Sequence, residues 1–105
     1  MTLKEFLQNE NIGRVEKRFP LAGAIDDALE NICLVLNNPT DASSVEEHIK
    51  KHYEKQGFQY KGKSISHIFI KEKEAHIVAV SYQLGSRIVE ITVNDAPMLS
   101  DLYTT

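Results

Sequence analysis

The sequence predicts an α+β domain in which two or three helices come first, a three- or four-stranded antiparallel meander follows, and a short helix closes the chain. Three observations carry this reading. Apolar residues in the first half recur at spacings of three and four, as a buried helix face requires. After Gly57 the period drops to two, through segments rich in Ile and Val. The connections between those segments are too short for anything but antiparallel neighbours. With 105 residues, positions 1–105 make a single domain with one core.

Each element has a local cause. Thr2-x-x-Glu5 is a capping box and opens a first helix with Leu3, Phe6 and Leu7 as its apolar side. Asn11 and Gly13 end it. Residues 14–19 read either way: Val15 and Phe19 are spaced helically, but the segment is short. Pro20 suits the first position of a central helix, because its missing N–H would have no partner there. Leu21, Ile25, Ala28, Leu29, Ile32 and Leu36 continue it as one apolar stripe, stopped by Asn37-Asn38-Pro39. Ser43-x-x-Glu46 and Ser44-x-x-Glu47 are overlapping capping boxes, so a further helix starts near residue 44, buries Val45, Ile49, His52 and Tyr53, and ends at Gly57.

The strands follow. Phe58-Gln59-Tyr60 reads as a short strand turning at Lys61-Gly62-Lys63. Ser64–Lys71, Ala75–Gln83 and Ser86–Asn94 read as three longer ones. Turns centred on Glu72-Lys73 and Leu84-Gly85 would set Phe69 opposite His76, Val80 opposite Val89 and Val78 opposite Ile91. Asp95 caps a last helix with Met98, Leu99, Leu102 and Tyr103 as its apolar side.

This register sorts the strand residues onto two faces. Ile65, His67, Phe69, His76, Val78, Val80, Tyr82, Arg87, Val89, Ile91 and Val93 form the more apolar face, on which the helices are expected. Ser66, Ile68, Ile70, Ala75, Ile77, Ala79, Ser81, Ile88, Glu90 and Thr92 form the other. A solvated face would be mostly polar. This one carries four isoleucines, and each left in water forgoes about 1.5–3 kcal/mol of burial. A surface of Ile68, Ile70, Ile77 and Ile88 therefore predicts a partner, either a second copy of the chain or another protein. The competing expectation is that the chain's own helices cover it.

Candidate chemistry is sparse. His48-x-x-x-His52 places two imidazoles one helical turn apart, as a zinc pair would need. The adjacent glutamate of H-E-x-x-H is missing and no third ligand is evident, so a half-buried His52 with one hydrogen bond is the preferred account, with no metal. Cys33, in an apolar context, reads as buried and inert. Asp26 and Asp27 diverge by about 100° around a helix and form no dyad. No serine stands in a G-x-S-x-G elbow, and no glycine-rich phosphate loop exists. Catalytic residues and cofactors are accordingly not assigned, and an enzyme is the less favoured reading.

Composition bounds the rest. The net charge of −3 divides into −5 over residues 1–48, +5 over 49–73 and −3 over 74–105. The middle segment mixes seven lysines with Tyr53, Phe58, Tyr60 and Phe69, a pattern that can bind nucleic acid. The acidic whole and the absence of arginine there argue instead for a solvated surface. The longest apolar run, Ile32–Leu36, excludes a membrane span, and Met1–Glu5 shows no secretory signal. One cysteine suits a reducing, cytoplasmic setting. Three functions are carried forward. The first is a non-catalytic interaction or regulatory protein acting as a homodimer through the second sheet face. The second is a module for a polar or anionic small molecule, or a minor enzyme, with a pocket near His67, His76, Tyr82 and Arg87. The third is nucleic-acid binding through residues 49–73.

Overall fold

A computed structural model describes residues 1–16 and 28–103. They form helix α1 (Leu3–Asn9), strands β1 (Gly13–Glu16) and β2 (Glu30–Leu36), and a 3-10 helix (Pro39–Ser44) leading directly into α2 (Val45–Lys55). Strands β3 (Gln59–Lys63), β4 (His67–Lys71), β5 (Glu74–Tyr82) and β6 (Ile88–Asp95) and helix α3 (Met98–Tyr103) follow. All strands pair antiparallel in one six-stranded sheet, in the order β1-β2-β6-β5-β4-β3. The α+β class is as expected; the sheet is larger than a meander of three or four strands.

The added strands replace the expected central helix. Glu30–Leu36 is β2, held between β1 and β6. Its alternation puts Ile32, Leu34 and Leu36 in the core, and Val35 is buried on the other face. Five consecutive apolar residues suit a strand enclosed by neighbours on both sides, and β-branched Ile32 and Val35 favour it. The helical spacing of Ala28, Leu29, Ile32 and Leu36 was thus fortuitous. The expected continuation through Pro20, Leu21 and Ile25 lies outside the described residues. Of the undecided segment 14–19, residues 14–16 belong to β1 (Gly13–Glu16), and 17–19 lie outside the described residues.

Both remaining N-terminal helices form where expected. Thr2 Oγ1 accepts from the Glu5 N–H, and the Glu5 carboxylate accepts from the Thr2 N–H, completing the capping box. A second anchor was not legible: the Glu30 carboxylate of β2 accepts from the N–H groups of Leu3 and Lys4 at 3.1 Å each, where the helix N-terminus favours an anion. Helix α2 buries Val45, Ile49, His52 and Tyr53, as read. Its start is set differently, because Ser44 makes no side-chain cap. The 3-10 helix supplies the entry instead, with Asn38 accepting from the Thr40 N–H.

Within the sheet, the Glu72-Lys73 turn and the Phe69–His76 pair are as predicted. The next hairpin is displaced by two residues: Tyr82 opposes Val89, Val80 opposes Ile91 and Val78 opposes Val93. Arg87 extends the pairing of β6 with β2, its carbonyl accepting from Leu36 N–H at 2.7 Å and its Nε donating to Leu36 O at 2.8 Å. An even shift keeps every side chain on its face. His67, Phe69, Val78, Val89, Ile91 and Val93 are therefore buried in the core with residues of α1, α2 and β2. The first turn of the meander also moves, from Lys61-Gly62-Lys63 to Ser64-Ile65-Ser66, with the ladder irregular between Tyr60 and Lys63. The turn leaves Ile65 93% exposed, so this residue does not join the core face.

Strand β1 approaches β2 closely at Gly13. A Cβ there would run into the Val35 carbonyl oxygen and lie 2.8 Å from Leu36 Cα. Both are backbone atoms that cannot move alone. Gly13→Ala is expected to lower stability by about 1–3 kcal/mol, read as a lower urea midpoint with an unchanged slope.

Candidate functional site

Helix α2 is fastened to its surroundings by a set of polar contacts that involves all four histidines. At its first turn Glu46 receives a hydrogen bond from buried His67 on β4, 2.8 Å from Nε2 to Oε2. A carboxylate only accepts, so Nε2 carries a proton. The Tyr60 hydroxyl of β3 meets Nδ1 at 2.9 Å. Lys63 approaches the other Glu46 oxygen at 3.8 Å, and the Lys50 ammonium stands 4.7 Å from the Tyr60 ring centroid. The resulting chain, carboxylate–imidazole–phenol, ties α2 to two strands. The sequence pattern marks Glu46 only as a helix-start residue and Tyr60 only as part of a strand.

Three further contacts complete the set. The Tyr53 hydroxyl meets His76 Nδ1 at 3.0 Å, and its ring stacks on Phe69 with centroids 4.3 Å apart. Burial raises the Tyr53 phenol well above its ordinary range, with Glu30 adding to the effect, so it stays neutral. His48 Nδ1 lies 3.2 Å from Glu10, and this hydrogen bond is the main cause of the lowered Glu10 carboxyl. His52 is buried against Phe6 and hydrogen-bonded to the Gln56 amide at 3.4 Å. Burial is the main cause of its lowered pKa, with the N-terminal amine and His76 contributing. His48 and His52 thus face different neighbours. Among the described residues no three of His, Cys, Asp and Glu are grouped to hold a metal.

The proposed ligand set is not convergent. His67 and His76 are diagonal neighbours on β4 and β5, since His67 opposes Val78 and Phe69 opposes His76. Tyr82 lies six residues beyond His76, about 20 Å along the strand. Arg87 is exposed and spends its Nε on the Leu36 carbonyl. The lysine segment is also locally engaged. Lys50 and Lys51 meet Glu47 and Glu10 at 3.2 Å, while Lys55 and Lys71 stand over the rings of Phe6 and Phe58.

The second sheet face lies opposite α1 and α2. Across its strands run Arg14 and Glu16, then Asn31, Cys33 and Val35, then Ile88, Glu90 and Thr92, then Ile77, Ala79 and Ser81, then Ile68. Cys33 sits here on a strand, partly exposed between Glu16 and Glu90, and not buried in a helix. Helix α3 packs on β4 and β5 and covers one end of the face. There Ile70 is 4% exposed and Ala75 fully buried. Ile70 is therefore already used within the chain. Ile68 and Ile77 oppose each other directly beside that end and stay partly exposed. Ile88 pairs with Val35 at the other end, about 20 Å along from Ile77's level. Helix α3 turns Leu99 and Ser100 inward, whereas Met98 and Leu102 are 83% and 71% exposed. Met98 and Leu102 thus do not belong to the packed side that their spacing predicts. Among the described residues no helix is long and apolar enough to cross a membrane.

Two outcomes follow from the histidine set. His67→Phe keeps the ring but deprives Glu46 and Tyr60 of their partner; a loss of about 1–3 kcal/mol in chemical unfolding is expected, against about 1 kcal/mol for Tyr60→Phe. His52 resists protonation when folded, while the unfolded chain takes up its proton near pH 6.5. Stability from this residue is complete above that pH and is lost as the pH falls below it. A thermal-melt series from pH 7.5 to 5.5 should show the decline, and His52→Phe should flatten it.

Comparison of the chain with models of known protein families, with curated proteins and with solved structures finds no match in any of the three. The functional reading therefore rests on these residues alone.

Proposed function

We propose that the chain is a small, soluble, non-catalytic interaction or regulatory protein of the cytoplasm that acts as a homodimer through the outer face of its sheet. The observation that supports this is the Ile68–Ile77 pair. It lies with Ala79 just beyond the edge of α3, on a face that α1 and α2 do not reach. Charges on this face stand away from the pair, at Arg14, Glu16 and Glu90 on β1 and β6. Interfaces have the same layout, with a charge-poor centre and a polar rim. The histidine contacts support a structural role in place of catalysis, because each joins α2 or its partners to a neighbouring element and leaves no buried polar side-chain atom unsatisfied among the described residues.

Light scattering on the wild type at micromolar concentration is expected to give twice the chain mass. Ile77→Lys places a charge at the centre of the face and should give the monomer mass with an unchanged circular dichroism spectrum. A wild-type monomer across that range would remove the homodimer.

A further inference from the structure

The side chain of Gln56, just past the end of α2, is shared between two parts of the chain. Its amide nitrogen donates to the Met1 carbonyl at 2.9 Å and stands 3.4 Å from His52 Nε2, one helical turn back. A carbonyl oxygen only accepts, so the NH2 end of the amide is the end that faces Met1. Its two hydrogens are then committed, one to Met1 and one to His52. His52 Nε2 therefore accepts, which leaves the ring neutral with its proton on Nδ1. A second proton would set one donor against another. The conflict is relieved when the amide turns its oxygen towards His52 or moves away, and in either case the bond to Met1 is given up.

We propose that Gln56 is a proton-operated latch on the N-terminal turn: it holds Met1 while His52 is neutral and lets it go when His52 is protonated. The surroundings act in the same direction. His52 is buried between the rings of Phe6 on α1 and Tyr53, at centroid distances of 5.0 and 5.2 Å. The Met1 amine and His76 on β5 both oppose a positive charge on it. The Lys55 ammonium stands 5.5 Å from the Phe6 centroid and adds to the positive side. The carboxylates of this region serve the α1 backbone, Glu5 accepting from Thr2 and Glu30 on β2 accepting from Leu3 and Lys4. A charge gained by His52 thus repels the Met1 amine at the moment the carbonyl is released. The far end of α1 is held separately, with Glu10 3.2 Å from both His48 and Lys51, contacts that a proton on His48 leaves in place. Loosening therefore starts at Met1, while Leu3 and Leu7 remain the buried anchor of the helix. The latch lies on the helix side of the sheet and does not depend on the homodimer proposed above.

Amide hydrogen exchange by NMR between pH 7.5 and 4.5 tests the latch, with rates corrected for their intrinsic pH dependence and the His52 ring signals followed in the same samples. In the wild type the protection of the Leu3, Lys4, Glu5 and Phe6 amides should fall about two- to tenfold, the factor one hydrogen bond is worth. The fall should track the His52 titration, while amides of β5 and β6 hold. Gln56→Leu cannot hold Met1, so its α1 protection should already be low at pH 7.5 and show no step. Gln56→Glu offers His52 an acceptor and Met1 no donor; it should make His52 easier to protonate and also abolish the step. Level α1 protection through the His52 titration would overturn the latch, as would a fall shared equally by β5 and β6. So would a His52 that takes up no proton above pH 4.5, a Gln56→Leu variant that keeps the wild-type step, or a Gln56→Glu variant in which His52 titrates as in the wild type.

Discussion

The pairing of β5 with β6 decides the character of this molecule. Its register sets Val78, Val80 and Tyr82 against Val93, Ile91 and Val89. Every alternate side chain of the two longest strands is thereby assigned to one side. Helices α1 and α2 take the side with the valines and Phe69, and the core closes there. The remaining residues, Ile77, Ala79, Thr92 and Ile88 among them, are committed to the opposite side whether or not anything lies over it. One pairing therefore builds the hydrophobic core and also creates the surface on which the functional reading rests.

The two sides are held by different chemistry. On the helix side, aliphatic contacts are reinforced by directed ones: Glu46 to His67, Tyr60 to His67, Tyr53 to His76. A buried imidazole with both nitrogens engaged orients its neighbours far more narrowly than a leucine would, because each hydrogen bond has an angle as well as a distance. Among the described residues the other side has only α3, six residues long, resting on β4 and β5.

Much of this was legible in the residues themselves. Period-two alternation from His67 to Val93 sorts the faces correctly, and it does so even though the hairpin register is two residues away from the simplest turn. Faces depend only on parity, whereas the register depends on the length of the turn between β5 and β6, which the alternation does not fix. The capping box at Thr2 and the buried side of α2 are equally local and were equally readable. Ile32–Leu36 was not: its spacing fits a helix as well as a strand, and the choice is made by β1 and β6 on either side. On the outer face, the isoleucines were readable as a set, but which of them α3 shields depends on where α3 lands. That follows from the path of the chain after Asp95. The Glu46–His67–Tyr60 chain escaped notice for a similar reason, as it joins three elements that only tertiary packing brings together.

The position of β2 has a consequence for how the chain comes into being. Its neighbours are β1 on one side and β6 on the other, so the middle of the sheet joins two segments far apart in the chain. Contacts between distant segments form late and slowly. A nascent polypeptide must therefore carry the greasy stretch Ile32–Leu36 with one edge unpaired until the residues of β6 emerge to pair with it. That interval is when the molecule is most exposed to misassociation.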